Sequence, residues 1–493
     1  MPGTHLIRRQ FLEVDFQAAE SRGYALQTQI LDLCEQSLIP ALEKVFERIV
    51  PAGEHWRIDR LEVDAGELPH DGLDDTFVTA VVEAVDRQLR AQSSLGQLTR
   101  IQNAATLARM NADPSTAMAT TRRSGGQVLH DAFLYFLETG LLPWWIELPA
   151  EQTLEGVIRA GWARRDDASS SPVALVAAIQ NRLDSPRALR RLVRQFTVEF
   201  LMAVLAEASQ TSAETVLSVL AALTRAGITV QTDSNFIFQL WETALVLSFA
   251  KQSFTAESLM SEALRGMSSH GSPPAANLFR KLAQQWPAPG QIAYADRSVE
   301  KPVAMFATKS SKVETDSSRR TELATEAALE EGVFLRCAGI VLLHPFLPRF
   351  FEGLGIARNN KLIQPERALG LLHFLATGHR TAPEYDLLLP KLLCGCMNTV
   401  VPLQIDLTPE EEEESDALLN AMIRHWDALG ATSVEGLRGS YLVRPGKLSS
   451  RGEDYVLQVE SRAYDILLDQ LPWGIGLIKL PWMESTLWVE WRM

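Results

Sequence analysis

The stretch Trp473-Gly-Ile-Gly-Leu-Ile-Lys-Leu-Pro-Trp-Met-Glu-Ser-Thr-Leu-Trp-Val-Glu-Trp-Arg-Met493 decides how the fold is read. It holds four of the chain's eleven tryptophans, carries no net charge, and is divided by Pro and Gly into short alternating runs. Leu487, Val489 and Trp491 alternate with Trp488 and Glu490, the two-residue period of a half-buried strand. An indole ring buries a large apolar area. This end is therefore expected to be pinned into a core or against a partner, and not to fray.

Working back, Tyr441–Arg444, Tyr455–Val459 and Ile475–Leu480 read as further strands. Before them, Thr408-Pro-Glu-Glu411 is a capping box with Pro at the first helical position. The helix it opens buries Leu418, Leu419, Met422, Ile423 and Trp426 and is expected to stop at Gly430. Another helix is expected over 321–340. The stretch 287–320 is rich in Pro and in small polar residues and reads as a flexible linker.

Residues 127–286 are patterned as helices of ten to twenty residues, at about 212–226, 235–250 and 255–267 among others, forming a bundle or stack. Ser185-Pro-Arg is a helix start, with Ser as N-cap. Behind it Leu189, Leu192, Val193, Phe196 and Phe200 make a buried stripe, while Arg187, Arg190, Arg191 and Arg194 make a basic edge able to dock an acidic partner. Residues 93–126 read as a linker, partly helical around Leu98–Met110. Residues 1–92 read as a small α+β domain: strands over 4–16 and 55–64, a helix from Leu26 to Ile49 interrupted near Pro40, and a helix over 74–92. The expected fold is mainly α with α+β ends: 1–92 N-terminal α+β domain, 93–126 linker, 127–286 helical domain, 287–320 linker, 321–493 C-terminal α+β domain with terminal strands. One echo stands out, Phe136-Leu-Glu-Thr-Gly140 and Phe374-Leu-Ala-Thr-Gly378, each ending an apolar run; helix C-caps explain both, and a duplication is the alternative.

With 46% hydrophobic and 22% charged residues, the 493-residue chain has the profile of folded domains. Its net charge of −14 argues against general nucleic-acid binding and favours a basic partner. Four cysteines are too few for a disulfide framework, so a reducing cytoplasm is expected. The apolar run Phe236–Ala250 is too short and too interrupted to span a bilayer.

Catalytic motifs are missing: no Walker A, His-Glu-x-x-His or Gly-x-Ser-x-Gly pattern occurs. Trp473-Gly-Ile-Gly lacks the third glycine and the following helix of a phosphate loop. Cys394-Gly-Cys396, near His373 and His379, lacks the second ligand pair of a zinc site, and core thiols are the simpler reading. Glu410–Glu414 fan out over a first helical turn, where they suit the helix dipole better than a cation. His344 is expected to hold a backbone carbonyl. No catalytic residue, metal or cofactor is expected; Trp473, Trp482, Trp488 and Trp491 join the four arginines as candidates for partner contact.

Four segments together resemble the tape measure proteins of contractile injection systems: Thr4-His-Leu-Ile-Arg-Arg-Gln-Phe-Leu-Glu-Val-Asp15, His55–Leu68, Leu342-Leu-His-Pro-Phe-Leu-Pro348 and Tyr464–Gly474. The likeness extends to Phe136–Trp145 and to nearly everything after residue 330. These systems are phage-tail-like particles by which bacteria deliver toxins. The resemblance implies a non-enzymatic structural protein that sets inner-tube length, lies in the tube lumen, singly or as a homo-oligomer, and contacts tube and baseplate or hub proteins. It implies cytoplasmic assembly and a final place inside the extracellular particle. A folded assembly scaffold or chaperone that measures nothing is the second expectation.

Overall fold

A computed structural model describes residues 5, 7, 10–14, 20–50, 54–58, 61–69, 73–99, 120–146, 148–149, 152–163, 171–182, 185–269, 282, 319 and 322–491. The fold is mainly α with α+β ends, and the chain divides into two compact units, Met1–Leu129 and His130–Met493.

In the first unit, α1 (Glu20–Leu33) and α2 (Ile39–Ile49) are joined by a π-helical turn, Cys34–Leu38. The interruption expected near Pro40 takes this form because proline clashes with the carbonyl four residues back. The turn widens to i→i−5, with Ile39 N–H donating to Cys34 O. Ile30, Leu38, Leu42 and Val45 pack with Phe77, Val85 and Leu89 of α3 (Leu73–Thr99). That helix runs past residue 92 into the stretch read as linker. The strand expected over 55–64 is β1, Glu54–Ile58, and residues 61–69 are irregular. Its partner is β2 (Thr120–Ser124), antiparallel, in the same stretch read as linker. Of the strand expected over 4–16, His5, Ile7 and 10–14 are irregular, and the remaining residues lie outside the described ones. So do most of Leu98–Met110 and the 287–320 stretch.

Among the described residues eight helices follow one another, the first beginning just before the second unit: α4 (Gly125–Thr139), α5 (Leu154–Ala163), α6 (Pro172–Arg182), α7 (Pro186–Gln195), α8 (Val198–Ala208), α9 (Gln210–Arg225), α10 (Val230–Phe249) and α11 (Ala256–Ser269). They share one core, with Phe133, Phe200, Leu240 and Trp241 at its centre. The expected start at Ser185 is as the sequence implies: its hydroxyl accepts from Ala188 N–H. No described helix is long and apolar enough to cross a membrane.

The helix expected over 321–340 ends at 331 (α12, 322–331), after which β3 (Val333–Leu335) and a 3-10 turn (Ala338–Leu343) begin. There follow α13 (Leu347–Gly353), the hairpin β4 (Ala357–Arg358) and β5 (Lys361–Leu362), α14 (Pro365–Thr377), α15 (Leu388–Leu393) and α16 (Pro409–His425). The capping box of α16 is formed, Thr408 and Glu411 exchanging side-chain and backbone bonds. The helix stops at His425, not Gly430, because Trp426 turns inward, wholly buried, and donates its indole N–H to Leu467 O at 3.1 Å.

The sheet is ordered β3-β6-β7-β9-β8, with β6 (Gly446–Arg451), β7 (Asp454–Val459), β8 (Leu477–Ile478) and β9 (Leu487–Trp491). The β7–β9 pair is parallel and the other pairs are antiparallel. The alternation read from the sequence holds in β9: Leu487, Val489 and Trp491 are buried, Trp488 and Glu490 exposed. Ile475–Leu480 shrinks to the two residues of β8. Tyr441–Arg444 is no strand; Arg438–Leu442 is a π turn, and Val443 N–H reaches Arg438 O at 2.8 Å. Ala338 N–H takes the Arg444 carbonyl instead, at 2.8 Å.

Both Thr-Gly sequences are helix ends of one geometry. Gly140 and Gly378 are left-handed, at φ 77° and 73°. Each donates its N–H four residues back, at 2.7 Å, to Phe136 O and Phe374 O. Thr139 and Thr377 each bond the carbonyl four residues earlier at 2.8 Å. An arginine caps the free carbonyls of both helices: Arg191 on Leu137 and Glu138, Arg438 on Leu375.

Candidate functional site

Two clusters of buried charge in the second unit tie distant segments together. The first is a seam between α7 and the residues after α14. Arg191, expected on an exposed basic edge, is 3% exposed. Its Nε lies 3.0 Å from both carboxylate oxygens of Glu384, and its Nη1 donates to Leu137 O and Glu138 O at 2.8 and 2.7 Å. Lys391 Nζ donates to the same carboxylate. Burial alone would raise the Glu384 pKa, but the Lys391 and Arg191 charges and their hydrogen bonds hold it below the usual carboxylate range. Lys391 is pushed down by burial, and the like charge of Arg191 adds to this against the pull of Glu384.

Neighbouring bonds extend the seam. Gln195 accepts from Glu384 N–H and donates to Val401 O, both at 2.8 Å. Arg194 Nη1 reaches Val400 O and Glu366, both at 2.9 Å, and Arg187 reaches Asn398 at 3.1 Å. Three of the four candidate arginines are therefore engaged within the chain, and Arg190 is half-buried. Their spacing on α7 was legible, but their partners lie far away in sequence. The signal for one partner was present: Lys391 is the only charge in the apolar run Leu387–Cys394, and a buried lysine needs a counter-charge.

The second place pins β9. Arg444, wholly buried, donates to Asp465 Oδ2 and to Glu460 O, both at 3.0 Å. Its guanidinium stacks over the rings of Tyr464, Trp491 and Tyr441 at 5.0, 5.6 and 5.8 Å. Asp465 Oδ2 also accepts from the Trp491 indole at 3.1 Å. Of the other candidate tryptophans, Trp482 donates to Leu393 O at 2.8 Å and Trp473 packs edge-on to Phe346 at 5.1 Å. Trp488 is 44% exposed and reaches Asp454 at 3.3 Å.

Glu411 and His344 have partners within the chain. Glu411 does not fan out with its neighbours: it is buried and held by Arg367 Nε and Nη2. His344 Nδ1 lies 2.9 Å from Val341 O, as expected. His373 is buried and His379 exposed. Among the described residues no three His, Cys, Asp or Glu side chains are grouped to hold a metal. A groove of about 420 Å³ beside the seam is lined by Phe136, Phe196, Tyr385, Arg159 and Gln404, among others. The carboxylate in its wall, Glu155, is spent on the N–H and hydroxyl of Thr197 at the start of α8.

Two buried groups oppose each other in pH. Burial lifts Asp386 from 3.8 to about 6, with Arg336, 3.6 Å away, resisting. Burial lowers His373 from 6.5 to about 4, with a bond to the Thr381 backbone resisting. Folded Asp386 keeps its proton above the unfolded pKa, so its contribution to stability falls as pH rises from about 4 to 6. Folded His373 refuses a proton that the unfolded chain accepts, so its contribution rises with pH between about 4 and 6.5. Each is worth about 3 kcal/mol over its window, and they nearly cancel. In Asp386→Asn the histidine acts alone. Urea unfolding at pH 6.5 and pH 4 should show the variant losing about 3 kcal/mol more than the wild type on acidification; equal losses would refute this assignment.

Buried charges fasten segments distant in sequence to one another in the second unit. No curated protein and no solved structure matches the chain. The family model described as contractile injection system tape measure protein matches residues 4–491. With that match covering nearly its whole length, the chain belongs to the contractile injection system tape measure protein family.

Proposed function

We propose that this protein sets the length of the inner tube during assembly of a contractile injection particle. The family match over residues 4–491 carries the reading. A ruler acts through the reach of its chain, and a fully helical chain of this length spans roughly 740 Å at about 1.5 Å per residue. In this reading the protein catalyses nothing and uses no cofactor. It acts in the cytoplasm while the particle is built, occupies the tube lumen as one copy or a homo-oligomer, and stays in the particle afterwards. Its partners are tube proteins along its length and baseplate or hub proteins at one end. The charge of −14 favours basic surfaces on those partners. Trp488, the most exposed of the four candidate tryptophans, is the best placed for contact.

One observation favours a second reading, a folded assembly scaffold docking on hub, baseplate or cap components. The Arg191–Glu384–Lys391 seam ties the helical stretch to the C-terminal stretch in one compact unit. A ruler has to open such a unit, at about 5–15 kcal/mol, and lumen contacts have to offset that cost. Particle length by electron microscopy separates the two. If the chain measures, deleting or duplicating helices between residues 150 and 285 changes the length by roughly 45 Å per 30 residues. Unchanged lengths, or no particles, favour the scaffold.

A further inference from the structure

We propose that Cys396 is a peroxide-reactive thiol and that Cys394 is the partner with which it closes a disulfide. The inference is independent of the assembly role. It starts from the turn at the end of α15. Cys394 N–H bonds Pro390 O at 2.9 Å, Gly395 N–H bonds Leu392 O at 3.1 Å, and Cys396 N–H bonds Lys391 O at 3.0 Å. Gly395 is left-handed, at φ 61°. The chain thus folds Cys396 back over the helix end, with only the left-handed Gly395 between it and Cys394. Cys394 is buried and Cys396 only partly.

The charge around the turn selects which sulfur reacts. The seam places two cations, Arg191 and Lys391, on one carboxylate, Glu384. The surplus positive charge acts on Cys396 through Lys391. The Cys394 S–H bond holds the Cys396 thiol below its ordinary pKa against burial, with help from the Thr399 hydroxyl and Lys391. Burial pushes Cys394 up, and pushes Cys337 up to about 12. A partly exposed thiol with a lowered pKa, a cation nearby and a second thiol alongside is the environment of a redox-active cysteine.

The chemistry balances with hydrogen peroxide as the oxidant. The Cys396 thiolate attacks one peroxide oxygen; an S–O bond forms, the O–O bond breaks, and hydroxide leaves. Hydroxide takes the Cys394 proton. The Cys394 sulfur then attacks the Cys396 sulfenic acid; an S–S bond forms, the S–O bond breaks, and the departing hydroxide takes up a proton from solvent. In sum, two thiols and one peroxide give one disulfide and two waters.

The test uses the full chain, reduced, desalted, exposed to hydrogen peroxide, blocked with N-ethylmaleimide and digested with trypsin for mass spectrometry. The peptide Leu392–Arg424 carries both thiols. It should lose two hydrogens in place of gaining two maleimides, at a rate at least ~10-fold above the labelling loss of the Cys34 and Cys337 peptides. Cys394→Ser should stop at a sulfenic acid on Cys396 that dimedone traps, and Cys396→Ser should leave Cys394 unreactive. Loss of label no faster than at Cys34 and Cys337 in the wild-type chain overturns the proposal whether or not the variants fold. So does the absence of a dimedone adduct in a folded Cys394→Ser protein.

Discussion

Replacing Glu384 by glutamine is expected to destabilise the His130–Met493 unit by about 3–5 kcal/mol, because it leaves two buried cations facing a neutral amide. Arg191 keeps the carbonyls of Leu137 and Glu138. Lys391 keeps nothing of comparable charge, and burial already lowers its pKa. Without Glu384 it gives up its proton more readily, which limits the cost. A lysine held below its ordinary pKa binds fewer protons folded than unfolded. The deficit of the variant should therefore shrink as pH rises towards the ordinary lysine value of 10.5. Space is also tight. The carboxylate enters beside Gly140, where a Cβ would lie 2.6 Å from Glu384 Oε1. Urea unfolding followed by tryptophan fluorescence measures the effect. Changing Arg191, Glu384 and Lys391 together to methionine should recover most of the loss, since no charge is then stranded. A Glu384→Gln protein within about 0.5 kcal/mol of wild type would show that the seam is not closed as described.

Gly339→Ala should cost about 4 kcal/mol or prevent folding. A Cβ at this position would lie 1.7 Å from Tyr441 O and 2.9 Å from Leu442 Cα. Both are backbone atoms, so no rotamer change relieves the clash. Backing the chain away would pull Ala338 from Arg444 O, and with it the residue that holds Asp465 and β9. Gly353→Ala is the control: its Cβ meets nothing within 4 Å, and alanine suits the end of α13 better than glycine. Thermal melts of the two variants should differ in sign as well as in size.

Local signals were the legible ones. The Thr408 capping box and the Ser185 cap are settled within a few residues, and the alternation in β9 within five. Tyr441–Arg444 misled because tyrosine, leucine and valine favour strands, whereas the backbone there is bent so that Arg444 meets Ser440 O, Glu460 O and Asp465. β6 passed unread because Gly446-Lys-Leu-Ser-Ser-Arg451 turns only one large apolar side chain, Leu448, into the core. At the seam, helical spacing put Arg191 on the edge with its neighbours. Its burial is set by Glu384, 193 residues on, a distance over which composition and period carry no information. The two-residue period of β9 separates two tryptophans that the sequence grouped as contact candidates: Trp491 is core and Trp488 faces out.

The interior place of β9 has a consequence for folding among many copies. β9 pairs with both β7 and β8, so until it docks those strands present open edges, and open edges accept strands from any chain. The β9 segment of a second copy offers the same hydrogen bonds and the same apolar face. Exchange therefore loses no contact inside the sheet, and only the hinge at 484–486 has to open, which is the condition for domain swapping. Thr486 in that hinge is held by its own molecule on both sides, its N–H to the Asp454 carboxylate at 2.8 Å and its carbonyl to Tyr455 N–H at 2.9 Å. These bonds oppose exchange, because opening the hinge breaks them.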